Sequence, residues 1–133
     1  MPISERQQRA ALSVVSPDSR PANSRTYVRS AELALKVLFH GKWQVHILYA
    51  MRNGPVRIGQ LGRLIPGSSK KVLTQSLRRL EYEGVVVRRD LSDLVLHVEY
   101  ELHPQTRESI VDLLDRLSQW GADFVRNSNK SES

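Results

Sequence analysis

The stretch IGQLGRLIPGSSKKVLTQSLRRLEYEGVVVRR, residues 58–89, decides the architecture. Ile58, Leu61, Leu64 and Ile65 recur at helical spacing and halt at Pro66-Gly67, because proline and glycine both punctuate helices. Ser68 or Ser69 offers a hydroxyl oxygen to cap a following helix that runs to about Glu83, and Gly84 suits the residue just past its end. Within that helix Leu73, Leu77 and Leu80 stand four and three apart and share one face. Val85-Val86-Val87 then changes the pattern to extended chain. Two short helices joined by a tight turn and running into a strand describe a helix-turn-helix with a hairpin attached.

Upstream, Ala31, Leu35, Leu38 and Phe39 make one helical run and Trp43, Ile47, Leu48 and Met51 another. Gly41 parts the two runs, and Asn53-Gly54-Pro55 stops the second. Downstream, a polar turn at Ser92-Asp93 leads to a return strand read as Leu94 to Leu102. Ile110, Leu113, Leu114, Leu117, Trp120 and Phe124 restore helical spacing over residues 105–125. The fold class expected is α+β, mainly α: a winged helix-turn-helix with a three-helix core, a two-stranded wing, and added N- and C-terminal helices. The last apolar stripe is longer than a small winged core can cover, so it is expected to meet a second copy of the chain.

The domain is expected to span residues 27–126. Residues 1–26, with Pro2, Pro17, Pro21 and a single short apolar cluster, read as a flexible tail that can hold a short helix near Glu5–Val14. Residues 127–133 are polar and read as a second flexible tail.

Composition narrows the function classes. Hydrophobic residues are 40% of 133, enough for one real core. The chain has no cysteine, which removes thiol catalysis, cysteine-based zinc sites and thiol redox sensing together. No segment approaches the roughly 18 apolar residues of a membrane span, and no secretory signal opens the chain, so a cytoplasmic protein without membrane attachment is expected. The net charge is +6, and its placement matters more than its size. Residues 41–90 hold ten basic side chains against Glu81, Glu83 and Asp90, whereas residues 91–133 are net acidic. One central segment therefore carries the positive field, and polyanions are its natural partner.

That segment also carries the candidate site. Opposite Leu73, Leu77 and Leu80, a turn of 100° per residue gathers Lys71, Gln75, Arg78 and Tyr82 on one face, flanked by Ser68, Thr74 and Arg79. Cations for phosphate and guanine, an amide for adenine and hydroxyls near a helix start are the side chains that read duplex DNA. The contacts expected are Ser69, Lys70, Lys71, Thr74, Gln75 and Arg78 on the helix, with Arg88 and Arg89 on the flanking backbone. Neighbouring strand residues point to opposite faces, so only one of the two arginines can easily meet that backbone. Lys, Gln and Arg also decorate ordinary solvated helices; the position between a helical turn and a hairpin is what favours the DNA reading.

Catalytic and metal constellations are missing. His40 and His46, like His97 and His103, are six apart, which opposes them on a helix and separates them by about 20 Å along a strand. No phosphate-loop, dinucleotide or nucleophile-elbow motif occurs, so neither an enzyme nor a cofactor is expected. Glu99 and Glu101 share a strand face and suit solvation or pairing with arginine. Trp43 and Trp120 are candidates for lining a small-molecule effector pocket, against the plainer reading of helix packing.

The ordered set Gly41-Lys42-Trp43, Gly54-Pro55-Val56-Arg57, Leu61, Arg63-Leu64-Ile65-Pro66-Gly67, Leu73-Thr74-Gln75-Ser76-Leu77-Arg78, Leu80-Glu81, Gly84 and Val98-Glu99-Tyr100 resembles the HxlR family of bacterial transcriptional regulators. The resemblance covers about residues 31–125. It implies a homodimer paired through its terminal helices and bound to a roughly palindromic double-stranded operator. It makes the helix at about 69–83 the one that reads the major groove, and the hairpin at about 85–102 the wing, with its tip near Ser92-Asp93. It also implies a structural role for Glu99, tied to a basic residue at the wing base. The chain departs from the family in three places. A cysteine common before the first helix is absent from Tyr27 to Glu32; Val95, Leu96 and His97 replace prolines and an arginine in the wing; and His103 and Thr106 replace a threonine and a glycine after it. Two other functions compete with DNA binding: a winged-helix protein-interaction module, and a small-molecule-binding protein using the cavity between helices or subunits.

Overall fold

Gly67 and Gly84 sit in the left-handed region, at φ 90° and 81°, and mark the two corners that shape the functional half of the chain. The computed structural model describes residues 24–131, in two compact units, one ending at His103 and the other starting at Pro104. The first contains α1 (Ser24–Leu38), α2 (Gln44–Ala50), α3 (Ile58–Leu64), α4 (Lys70–Tyr82), β1 (Val86–Asp90) and β2 (Val98–Leu102). The second is α5 (Arg107–Ser131) with its lead-in. The expected class and element order are those observed.

The first unit closes around Ile47, Leu48, Met51, Leu61, Leu73, Leu77, Leu80, Val86 and Leu102, each at most 1% exposed. Apart from Val86 and Leu102, which lie on the strands, these are the residues whose periodicity marked the helices, so the pattern and the packing coincide. Gln44 is equally buried and donates from Nε2 to the Val37 carbonyl at 2.6 Å, which ties the start of α2 to the end of α1. At the start of α3 the Gln60 side chain accepts from the Arg57 N–H at 2.7 Å, satisfying one otherwise orphaned donor.

The hairpin is antiparallel, with Val86 opposite Leu102, Arg88 opposite Tyr100 and Asp90 opposite Val98. Val56 adds a bridge to its outer edge, exchanging two 2.8 Å backbone hydrogen bonds with Tyr100. The return strand starts at Val98 rather than Leu94, which corrects the sequence reading. Ladder pairing ends at Asp90 and Val98 because the Asp90 carboxylate turns onto the Ser92 N–H at 2.9 Å and the Ser92 hydroxyl accepts the His97 N–H at 2.8 Å. These local bonds compete successfully with further strand pairing. Leu94, Val95 and Leu96 are β-formers without a partner strand.

Both terminal helices run past their expected limits. α1 is already helical at Ser24, ahead of residue 27, and α5 continues through Ser131, beyond residue 126. The residues there are polar without being helix breakers; Ser128 returns its hydroxyl to the Phe124 carbonyl at 2.9 Å, and Lys130 in the last turn suits the negative end of the helix dipole. The short helix considered near Glu5–Val14 lies outside the described residues. No helix among the described residues is long and apolar enough to cross a membrane.

Candidate nucleic-acid interface

The site is built outward from the capping of α4. Ser69 is extended, at ψ 156°, and its hydroxyl accepts the Val72 N–H at 3.2 Å, which starts the helix at Lys70. The preceding turn is closed by Ser68, whose hydroxyl donates to the Ile65 carbonyl at 2.6 Å. The Trp43 ring covers this turn and would lie 3.5 Å from a Cβ placed on Gly67. The far end of α4 finishes in a Schellman turn: Val85 N–H bonds the Leu80 carbonyl at 2.9 Å and Gly84 N–H the Glu81 carbonyl at 3.0 Å. The helix therefore enters the wing with no intervening loop.

With Leu73, Leu77 and Leu80 buried, the opposite face of α4 is fixed in solvent. Lys70, Lys71, Gln75 and Arg78 are all exposed. None of the four is engaged by a side-chain hydrogen bond or ion pair among the described residues. Thr74 is half-buried and spends its proton on the Lys70 carbonyl at 2.7 Å, leaving its oxygen as an acceptor only in part free of the helix. Tyr82 continues the same face with 70% of its surface exposed, a residue that the helical period had gathered there without a contact being assigned to it. Arg79 is half-buried, and its Nε has no hydrogen-bond partner among the described residues.

The two wing arginines part company, as alternation requires. Arg88 shares the face of Val86, Tyr100 and Leu102 but emerges beyond the core, exposed. Arg89 lies on the other face and is ion-paired with Glu101. Half-exposed pairs of this kind are worth only about 0–1 kcal/mol, so a phosphate can compete for the guanidinium. Glu99 meets His97, Nε2 to Oε1 at 2.9 Å, at the tip end of the ladder and not at the wing base that the resemblance implied. The Asp90 carboxyl is held below its ordinary range, first by the Ser92 hydroxyl, then by the Ser92 N–H and the Arg88 charge.

Sequence reasoning missed Arg57. Its guanidinium donates to the Leu96 carbonyl at 3.0 Å, bracing the wing loop from the start of α3. Asn53-Gly54-Pro55 signalled a helix stop and Gly54-Pro55-Val56-Arg57 a family resemblance, and a bond across such a sequence separation leaves no periodic trace.

The two tryptophans are placed differently. Trp43 is half-buried, with Lys42 Nζ 4.7 Å above its ring and the His46 ring 5.8 Å away. Beside it an open cleft of about 430 Å³ is lined by Val45, His46, Tyr49, Ala50, Leu64 and Ile65; the only fully buried member is apolar Ile65, so no buried polar group is aimed at a ligand. Trp120, on α5, is 68% exposed and stacks on Phe124 at 5.3 Å.

Comparison with known proteins agrees with this geometry. The model of the HxlR-like helix-turn-helix family matches residues 38–129. The uncharacterised HTH-type transcriptional regulator YtcD of Bacillus subtilis is 40% identical over 101 residues, which is 76% of this chain and 79% of that protein. The solved structure of a ytcD regulator aligns with a TM-score of 0.66 at 40% identity, covering 72% of this chain and 96% of that one. A structure from Enterococcus faecalis V583, assigned to the MarR family of transcriptional regulators, aligns with a TM-score of 0.71 at 30% identity over 85% of this chain and 98% of its own. The reduced form of the redox regulator HypR aligns with a TM-score of 0.66 at 29% identity, over 76% and 97% of the two chains.

Proposed function

The chain belongs to the HxlR-like helix-turn-helix family and is a transcriptional regulator, and on that premise we propose that it binds double-stranded DNA sequence-specifically as a homodimer. The observation carrying the proposal is the unpaired set Lys71, Gln75 and Arg78 on the solvent face of a helix whose other face is locked into the core. Lys70, Lys71 and Ser69 meet phosphates near the positive end of α4. Gln75 pairs its amide with adenine, Arg78 its guanidinium with guanine, and Thr74 offers a hydroxyl oxygen. Arg88 holds the flanking backbone, and Arg89 joins it by exchanging Glu101 for phosphate.

The dimer rests on α5. Leu117, Trp120, Phe124 and Val125 leave 42–68% of their surfaces in solvent on one long helix, an apolar stripe that pairing would cover. Paired subunits would offer two copies of α4 to successive major grooves about 34 Å apart. An effector bound beside Trp43 would act on α4 through the turn at Gly67, and one at Trp120 through subunit pairing. With no cysteine in the chain, thiol oxidation is not the signal. The same reading makes the protein a cytoplasmic non-enzyme without a cofactor.

Selection of bound duplexes from a random pool, followed by footprinting, tests the proposal. A two-fold footprint is expected, with Gln75→Ala and Arg78→Ala each losing about 1–3 kcal/mol of operator discrimination. Equal binding to every duplex, by parent and variants alike, would instead favour a protein-interaction module.

A further inference from the structure

The wing ends in aliphatic side chains held out in water. Leu94 is 97% exposed, Val95 and Leu96 75% each, and Leu91 52%. Each such group forgoes roughly 1.5–3 kcal/mol that burial would return, so a slack loop would fold them back onto the body. This loop is braced against doing so. Leu91 N–H bonds the His97 carbonyl at 2.7 Å, the Ser92 hydroxyl takes the His97 N–H, and Arg57 reaches from α3 to the Leu96 carbonyl.

We propose that Leu94-Val95-Leu96 is an apolar wedge that enters the minor groove beside the sequence read by α4 and partly unstacks a base step there. The inference rests on the DNA-binding reading above and adds a second specificity to it. Two features select this occupant over a protein. The first is area: three aliphatic side chains fall far short of the roughly 800 Å² per partner of a stable protein interface, whereas one or two apolar side chains suffice to pry open a base step. The second is attachment: the Schellman turn at Gly84 couples the wing to α4, so a helix seated in the major groove carries the tip to the adjoining minor groove. Unstacking is cheapest at pyrimidine–purine steps, so flanking TA or CA steps are preferred although no side chain reads their base edges.

The full-length chain is tested on the duplex recovered from pool selection, with 2-aminopurine placed at successive flanking steps and fluorophores at the duplex ends. Binding of the parent brightens one flanking position and shortens the end-to-end distance. The triple substitution Leu94→Ser, Val95→Ser, Leu96→Ser loses both signals and weakens binding by about ten-fold or more, while its salt dependence stays that of the parent, because no phosphate contact has gone. Arg88→Ala does the reverse, lowering the salt slope by about one and keeping the 2-aminopurine signal. Val95→Ser alone serves if the triple variant melts early. A triple variant that binds, bends and brightens like the parent overturns the wedge, as does a tip that matters only for capturing a protein; discrimination lost in Gln75→Ala then still upholds DNA reading by α4. A parent that selects no duplex overturns both.

Discussion

The Arg57 guanidinium and the Leu96 carbonyl, 39 positions apart in the chain, meet at 3.0 Å and join the helix-turn-helix to the wing loop. Arg57→Ala should free that loop while leaving the core intact, at a cost of about 0.5–1.5 kcal/mol for a lost hydrogen bond. Amide hydrogen exchange checks it: residues 91–97 should exchange faster, whereas the buried α4 amides keep their protection. Arg57→Lys should restore only part of the effect, since a point ammonium lacks the planar fork.

Gly67 and Gly62 should answer oppositely to alanine. At Gly67 the φ of 90° strains any L side chain, although the new Cβ would make only an ordinary contact with Trp43. Gly67→Ala is therefore expected to destabilise by about 1–2 kcal/mol. Gly62 lies inside α3 with open space around it, and its replacement should stabilise by about 0.4–1 kcal/mol. Denaturant midpoints of the two variants should lie on either side of the parent's.

Ser69→Ala removes the cap of α4 and should cost about 0.5–2 kcal/mol of stability. Leu77→Ala, fully buried on the same helix, should cost about 2–5 kcal/mol. Gln75→Ala, on the solvent face, should leave the melting curve within about 0.5 kcal/mol of the parent. The ordering by thermal melting separates residues that build the helix from those it presents.

The Asp90 carboxyl has a lowered pKa in the folded chain, caused chiefly by the Ser92 hydroxyl. Its contribution to the wing turn is thus complete above the unfolded value of about 3.9. It fades as pH falls through the lower folded value. Near-neutral titration should leave the Ser92 amide signal unmoved, and acidification below pH ~4 should shift it and lower its protection relative to an unstructured amide at the same pH. Asp90→Asn should bring the lower protection of that amide to neutral pH.

Much of this architecture could be read before any coordinates. Leu73, Leu77 and Leu80 set the buried side of α4, and by rotation alone they fixed Lys71, Gln75 and Arg78 on the other. Pro66-Gly67 and Gly84 marked corners that only special backbone conformations allow. The wing was harder. Val95 and Leu96 have strand character, yet a strand needs a partner, and Asp90 and Ser92 end the pairing first. The bonds from Val56 to Tyr100 and from Arg57 to Leu96 depend on chain segments meeting across long separations, which composition and period do not encode. The helical ends were misjudged for a related reason: Asn127 to Lys130 are indifferent helix formers, and propagation from a long helix carries them along.

The corner at Gly84 has a consequence for the shape of a target site. Because Val85 bonds directly back to Leu80, α4 and the hairpin are joined through a short hydrogen-bonded turn that sets the angle between them. On the proposed DNA reading, the spacing between what each arm touches is then a property of the protein, and a target with even one base pair inserted between those two contacts must twist to fit or give one of them up.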